Sequence, residues 1–332
     1  MSGDIFLGGD MLIVRIISFL IVFTALGMGI SYFWAGDAFR SLDDEERSKL
    51  QAEGLAYEFA ELSEGIVHYR LEGPQDGQLV VLVHGFSAPS FVWADHIAPL
   101  SASGYRVLVF DNYGRGFSDH PKGPYNVERT DTLLVELLQE LGIDEAVHMA
   151  GYSMGGAITA EFASRHPEKL RSVLLIAPAA TAPSPDLKKI KRITTPVLGD
   201  WIIRVLGDKL FFNEAFASFE ETPSARQHLS AYKYQLGYLG YRRSLLSTLR
   251  YYPLLEGVAG SYAKISTLDI PVTSIWGEKD TTVPFDQAKT LQRLIPQGRI
   301  VSFPDYEHSL TYAYPEDVNA AMLEHLQSIP VP

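Results

Sequence analysis

Along this chain the spacing of apolar residues changes three times. From Ile16 to Gly36 they are nearly continuous, with no charged residue and the run Ile-Ile-Ser-Phe-Leu-Ile-Val-Phe. As a helix at about 1.5 Å per residue that segment reaches roughly 30 Å, the thickness of a bilayer core. Tyr32 and Trp34 stand at its far end, where aromatic rings favour the interface, and Arg15 at the near end is long enough to snorkel. Residues 1–40 are therefore expected to be a membrane anchor. The alternative is a cleaved signal peptide with a small-residue site at Gly36-Asp37-Ala38, which would leave the protein secreted or periplasmic. The next segment is charged and leucine-spaced. Ser41 precedes Leu-Asp-Asp-Glu-Glu, which suits an N-cap and an acidic first turn, so residues 41–64 read as a helical connector.

From Gly65 onward short apolar runs alternate with helical spacing, the signature of a parallel sheet with crossover helices. The expected strands are 79–83, 105–110, 146–150, 173–176, 272–276 and 299–303, with helices over 127–141, 155–165, 285–294 and 315–326. One interval breaks this alternation. From about 178 to 266 no buried parallel strand is evident, while aromatic residues at helical spacing abound, among them Trp201, Phe211, Phe212, Phe216, Phe219, Tyr232, Tyr234, Tyr238, Tyr241, Tyr251 and Tyr252. Such an insertion predicts a helical cap over the C-terminal strand ends, where ligands bind in open α/β sheets.

Composition narrows the chemistry. A formal charge of −12 argues against a nucleic-acid partner, whose phosphates demand a basic face. The absence of cysteine removes disulfides, thiolate metal sites and cysteine nucleophiles.

Gly151-Tyr-Ser153-Met-Gly155 then stands between an apolar strand and a helix opening Gly155-Gly-Ala. A serine held in a sharp strand-to-helix turn needs flanking glycines, because side chains there would strike neighbouring backbone. It also stands at a helix N-terminus, whose amides favour developing negative charge. A serine hydroxyl needs a base to take its proton. Of nine histidines, His308 is set apart by following the last strand in the loop Pro304-Asp-Tyr-Glu-His308, which a parallel sheet directs to the edge holding Ser153. His148 lies inside an apolar strand and reads as core. Gly277-Glu-Lys-Asp280 follows another strand at that edge, so Asp280 is the candidate acid behind His308. Two backbone amides should bind an oxyanion, those of Met154 and of Phe86 in His84-Gly85-Phe86. His84 and the turn Asp111-Asn-Tyr-Gly-Arg-Gly116 read as structural.

Taken together, His84-Gly-Phe, Asp111-x-x-Gly-Arg-Gly-x-Ser118, Gly151-Tyr-Ser-Met-Gly-Gly, Gly277-Glu-Lys-Asp280 and Glu307-His308 resemble the α/β-hydrolase superfamily from about Gly65 to the C-terminus. The order Ser153, Asp280, His308 is the one expected for that fold. With its N-terminal apolar segment the chain is similar to membrane-bound monoacylglycerol lipase-like members. The resemblance implies a mostly parallel sheet with flanking helices and a cap in a domain over 65–332, and a serine esterase needing no metal or organic cofactor. The expected substrate is a small-molecule ester with an apolar acyl group or a lipid ester. A serine nucleophile in place of aspartate sets aside epoxide hydrolases and haloalkane dehalogenases. Thioesterase, amidase or acyltransferase chemistry would use the same residues, and a non-enzymatic receptor on the same fold is the reading from another class.

Overall fold

The computed structural model describes residues 5–35, 40–55, 57–207, 219 and 222–330. Gly36-Asp37-Ala38 and Phe211, Phe212 and Phe216 lie outside the described residues.

Helix α1 (Ile5–Trp34) leaves its apolar side chains exposed over Met11–Trp34, a stretch long and apolar enough to cross a membrane. Helix α2 (Asp44–Ala52) follows, and its N-cap is Asp43, not Ser41: the Asp43 carboxylate accepts from the Glu46 amide at 3.0 Å. The helical reading of 41–64 is corrected beyond Ala52. Strands β1 (Glu58–Leu62) and β2 (Gly65–Glu72) form an antiparallel hairpin, with Glu58 opposite Tyr69 and Leu62 opposite Gly65. In β1 only Ala60 is buried, so its sequence carries too few apolar positions to declare a strand.

The remaining strands are β3 (Leu79–Val83), β4 (Arg106–Phe110), β5 (Val147–Tyr152), β6 (Leu170–Ile176), β7 (Val272–Gly277) and β8 (Arg299–Phe303). They complete one eight-stranded sheet in the order β1-β2-β4-β3-β5-β6-β7-β8, parallel from β4 to β8. β3 is apolar throughout because helices cover both faces: Leu79, Val81 and Val83 join one core, Val80 and Leu82 the other. A 3-10 turn (Ser90–Trp93) and helix α3 (Ala94–Ala102) follow β3, α4 (Val127–Glu140) follows β4, and α5 (Met154–Arg165) follows β5.

Between β6 and β7 the described residues contain helices and no strand: α6 (Leu187–Ile193), α7 (Leu198–Val205), α8 (Pro223–Gln235), α9 (Tyr241–Tyr251) and α10 (Ala259–Ile265). The last of these returns to the sheet and packs against α5 through Tyr262. Helices α11 (Asp286–Leu294), α12 (Leu310–Ala313) and α13 (Pro315–Gln327) complete the fold.

Candidate active site

The parallel strands deliver three loops to one edge of the sheet. After β5, Ser153 takes φ 55° and ψ −118°, a conformation that L-residues rarely hold, and its amide donates to the Ile176 carbonyl at 2.9 Å. The glycines around it are steric necessities. A Cβ on Gly151 would strike the Gly155 carbonyl, and one on Gly155 would strike the Val83 carbonyl. Strand β5 can thus turn directly into α5 with Ser153 at the apex.

The loops after β7 and β8 bring Asp280 and His308 to this serine. His308 Nε2 lies 3.0 Å from Ser153 Oγ, and His308 Nδ1 lies 2.7 Å from Asp280 Oδ2. Asp280 is buried, and its other oxygen accepts from the Thr282 and Val283 amides at 2.8 and 2.7 Å. Those bonds fix the carboxylate plane. Tyr152, the variable residue of the serine motif, donates its hydroxyl to the His308 carbonyl at 2.8 Å and lays its ring 5.2 Å from the imidazole.

The turn after β3 abuts the serine, since a Cβ on Gly85 would lie 3.3 Å from Ser153 Cβ. Phe86 sits in this turn. Met154 is the first residue of α5, so its amide is among the donors a helix leaves unpaired. His84 is fully buried: Nε2 accepts from the Asn112 amide at 2.9 Å and Nδ1 bonds the Gly85 carbonyl at 2.9 Å. Burial depresses its pKa to about 4, so it stays neutral. His148 is likewise buried, between Ser172 and Gln78.

Three supports of the site escaped the sequence reading. Arg115, buried in the turn after β4, donates from Nε to the Phe86 carbonyl at 2.5 Å and from its terminal nitrogens to Ser244 and Thr248 of α9. Asp111 accepts from the Ser90 amide at 2.8 Å, the Phe117 amide at 2.9 Å and His68 Nδ1 at 2.8 Å. Burial would raise its pKa, but His68 and these bonds outweigh that and hold it at about 2. The aromatic insertion grips the next residue of the β3 loop: Tyr232 donates to Ser87 Oγ at 3.0 Å and Tyr241 to the Ser87 carbonyl at 2.8 Å. Most of these contacts join residues far apart in sequence, and the turn motif at Asp111 does not say which partners it takes. Among the described residues no three His, Asp or Glu side chains converge to hold a metal ion.

The sequence profile of the alpha/beta hydrolase fold family matches residues 78–312. The chain belongs to this family. An AB hydrolase superfamily protein of Bacillus subtilis (strain 168) is 27% identical to this hydrolase over 295 residues, spanning 83% of this chain and 99% of the relative. Lipase 1 of Psychrobacter immobilis is 24% identical over 243 residues, spanning 72% and 74% of the two chains. Among solved structures, a membrane phospholipase A described as a bacterial virulence factor superposes with a TM-score of 0.68 at 21% identity, over 95% of this hydrolase and 98% of that chain. At that identity the likeness is one of fold.

Proposed function

We propose that this hydrolase cleaves esters of apolar acyl groups, lipid esters among them, through an acyl-enzyme on Ser153. The observation that carries the reading is the continuous hydrogen-bonded line from Ser153 Oγ through His308 to buried Asp280. In this mechanism His308 Nε2 takes the hydroxyl proton as Oγ bonds to the substrate carbonyl carbon. The amides of Phe86 and Met154 bind the resulting oxyanion. Collapse breaks the bond to the leaving oxygen, and His308 returns the proton to the departing alcohol. Water then attacks the acyl carbon, losing its proton to His308, and the acid leaves as Ser153 is restored. The reading requires no metal or organic cofactor. Relatives named as lipases and a bifunctional esterase/perhydrolase support ester hydrolysis over thioester, amide or acyl-transfer chemistry. For the apolar acyl group, support comes from the two relatives named as lipases.

A fluorophosphonate probe and a series of p-nitrophenyl esters test the proposal together. Labelling and turnover are expected to vanish in Ser153→Ala, and kcat/KM of the parent to rise with acyl length by at most ~0.8 kcal/mol per buried methylene. Turnover surviving in the purified variant would end the serine assignment. A profile flat from acetate to decanoate would end the acyl assignment alone.

We further propose that residues 1–40 anchor the hydrolase in a membrane through α1, with 65–332 as its catalytic domain, a cap at about 178–266, and a signal peptide as the alternative. The support is the exposed apolar surface of Met11–Trp34. Full-length protein should resist extraction by carbonate, whereas release by salt would leave only electrostatic attachment. A mature N-terminus at Phe39 would establish cleavage.

A further inference from the structure

One rim of the helical insertion carries features that ester hydrolysis does not use. Helix α7 lies against α1. Trp201 Nε1 donates to the Met28 carbonyl at 3.1 Å and to Ser31 Oγ at 2.9 Å. One turn later Arg204 Nε donates to the Tyr32 carbonyl at 2.9 Å, with its guanidinium 4.3 Å from the centre of the Tyr32 ring. Both contacts fall within the apolar span Met11–Trp34, so α7 is docked directly on it. The N-terminal end of α7 begins one turn before Trp201, next to that contact.

That end is apolar and exposed. Val197 is 77% exposed and Leu198 43%. Val197 holds φ 67°, a left-handed conformation that a β-branched residue rarely adopts. The turn is kept in this state by Asp200, whose Oδ2 accepts from the Val197 amide and from Arg250, each at 3.0 Å, while Oδ1 accepts from Arg250 at 3.2 Å. A strained, pinned turn that presents valine to the outside is not explained by packing of the insertion on itself.

Immediately before it stands α6, whose seven residues include Lys188, Lys189, Lys191 and Arg192, with no acidic residue and none buried. Lys191 pairs with Glu256, and Asp186 precedes the helix. On a chain of net charge −12 this is a local reversal of sign. A basic exposed helix beside an exposed apolar tip is the arrangement that seats on an anionic lipid surface.

We infer that α6 and the Val197-Leu198 tip form a second membrane contact, seated on a bilayer containing anionic lipid. The tip enters below the headgroups and α6 lies among them. The inference rests on the reading of α1 as the anchor, with which this surface is continuous. Its consequence is orientation: a single helix would leave the body free to swivel, whereas two contacts fix the hydrolase relative to the lipid.

The cysteine-free chain permits a direct test. Full-length V197C and L198C, and as a control K289C on exposed α11, are labelled with an environment-sensitive fluorophore. Each is reconstituted into phosphatidylcholine vesicles with or without phosphatidylglycerol. Unchanged ester turnover in detergent verifies the fold. Labels at 197 and 198 should shift to the blue, lose access to aqueous iodide and be quenched by nitroxide-bearing lipid. Phosphatidylglycerol should strengthen all three effects, the combined K188E, K189E and R192E substitutions should weaken them, and the label at 289 should remain aqueous. If the protein floats with vesicles while the labels at 197 and 198 stay open to iodide, the second contact is overturned and the anchor stands. If it does not float, the anchor falls and this contact with it. A blue shift that appears without lipid as protein concentration rises would assign the surface to a second copy of the chain and overturn the inference.

Discussion

Of Asp305, Asp111 and Asp280, only one can support His308. Asp305 shares the histidine's loop, but its side chain is 81% exposed and bonds Lys279 at 2.8 Å. Asp111 is committed to His68 and two loop amides on the other side of the nucleophile strand. Asp280 faces Nδ1 from behind, with its side chain out of solvent. In the proposed mechanism this geometry selects the tautomer that leaves Nε2 free to accept the serine proton. Asp280→Asn should therefore keep the fold and lower kcat on the order of 10³–10⁴. Asp305→Asn should leave kcat near the parent value, and Asp111→Asn should act mainly on stability. Steady-state kinetics of the three purified variants check this. The assignment is lost if Asp280→Asn keeps more than about a tenth of parental kcat while either other variant collapses.

At the scale of elements, the sequence disclosed the strand–turn–helix around Ser153 because its reasons are local. Two glycines are forced by close backbone, a buried strand precedes them and a helix follows. It did not disclose what holds the β3 loop. Arg115 reads as one residue of a glycine-rich turn, yet it ties the Phe86 carbonyl to Ser244 and Thr248 on α9. The aromatics of the insertion were expected to belong to a helical cap over the strand ends, where a ligand would bind. Several serve other ends: Tyr232 and Tyr241 hold Ser87, Tyr252 joins the core with α5, and Trp201 grips α1. The insertion thus positions the amide side of the proposed oxyanion hole. Arg115→Lys, which cannot reach all three partners at once, should lower kcat by roughly 10–100-fold with a smaller change in KM, as expected when a reacting geometry is displaced by about an ångström. A fall in thermal stability with kcat intact would make Arg115 a structural tie and nothing more.

For the whole molecule, the parallel strands β3 to β7 were legible because strands buried on both faces are almost continuously apolar. The β1–β2 hairpin was not, since one buried alanine gives β1 no period to detect. Burial that makes the core legible also gives the fold an acid liability. His84, His148 and His325 have pKa values lowered to about 4, and His120 to about 3, burial being the first cause in each. All four are neutral in the native state at neutral pH and regain an ordinary value of 6.5 when the chain unfolds. Between these values the unfolded chain binds more protons than the native one. Unfolding free energy should consequently be unaffected by these groups above pH 6.5 and decline as pH falls toward 4, by at most about 1.4 kcal/mol per pH unit for each histidine. Denaturant midpoints at unchanged slope, taken from about pH 7 down to about pH 5, measure the decline before most carboxylates titrate. His148→Gln, which keeps an amide in reach of Ser172 or Gln78, should flatten that decline by one histidine's share while lowering stability at pH 7. A midpoint independent of pH over this window, or a slope that His148→Gln leaves unaltered, would show that the core histidines are not held neutral by burial.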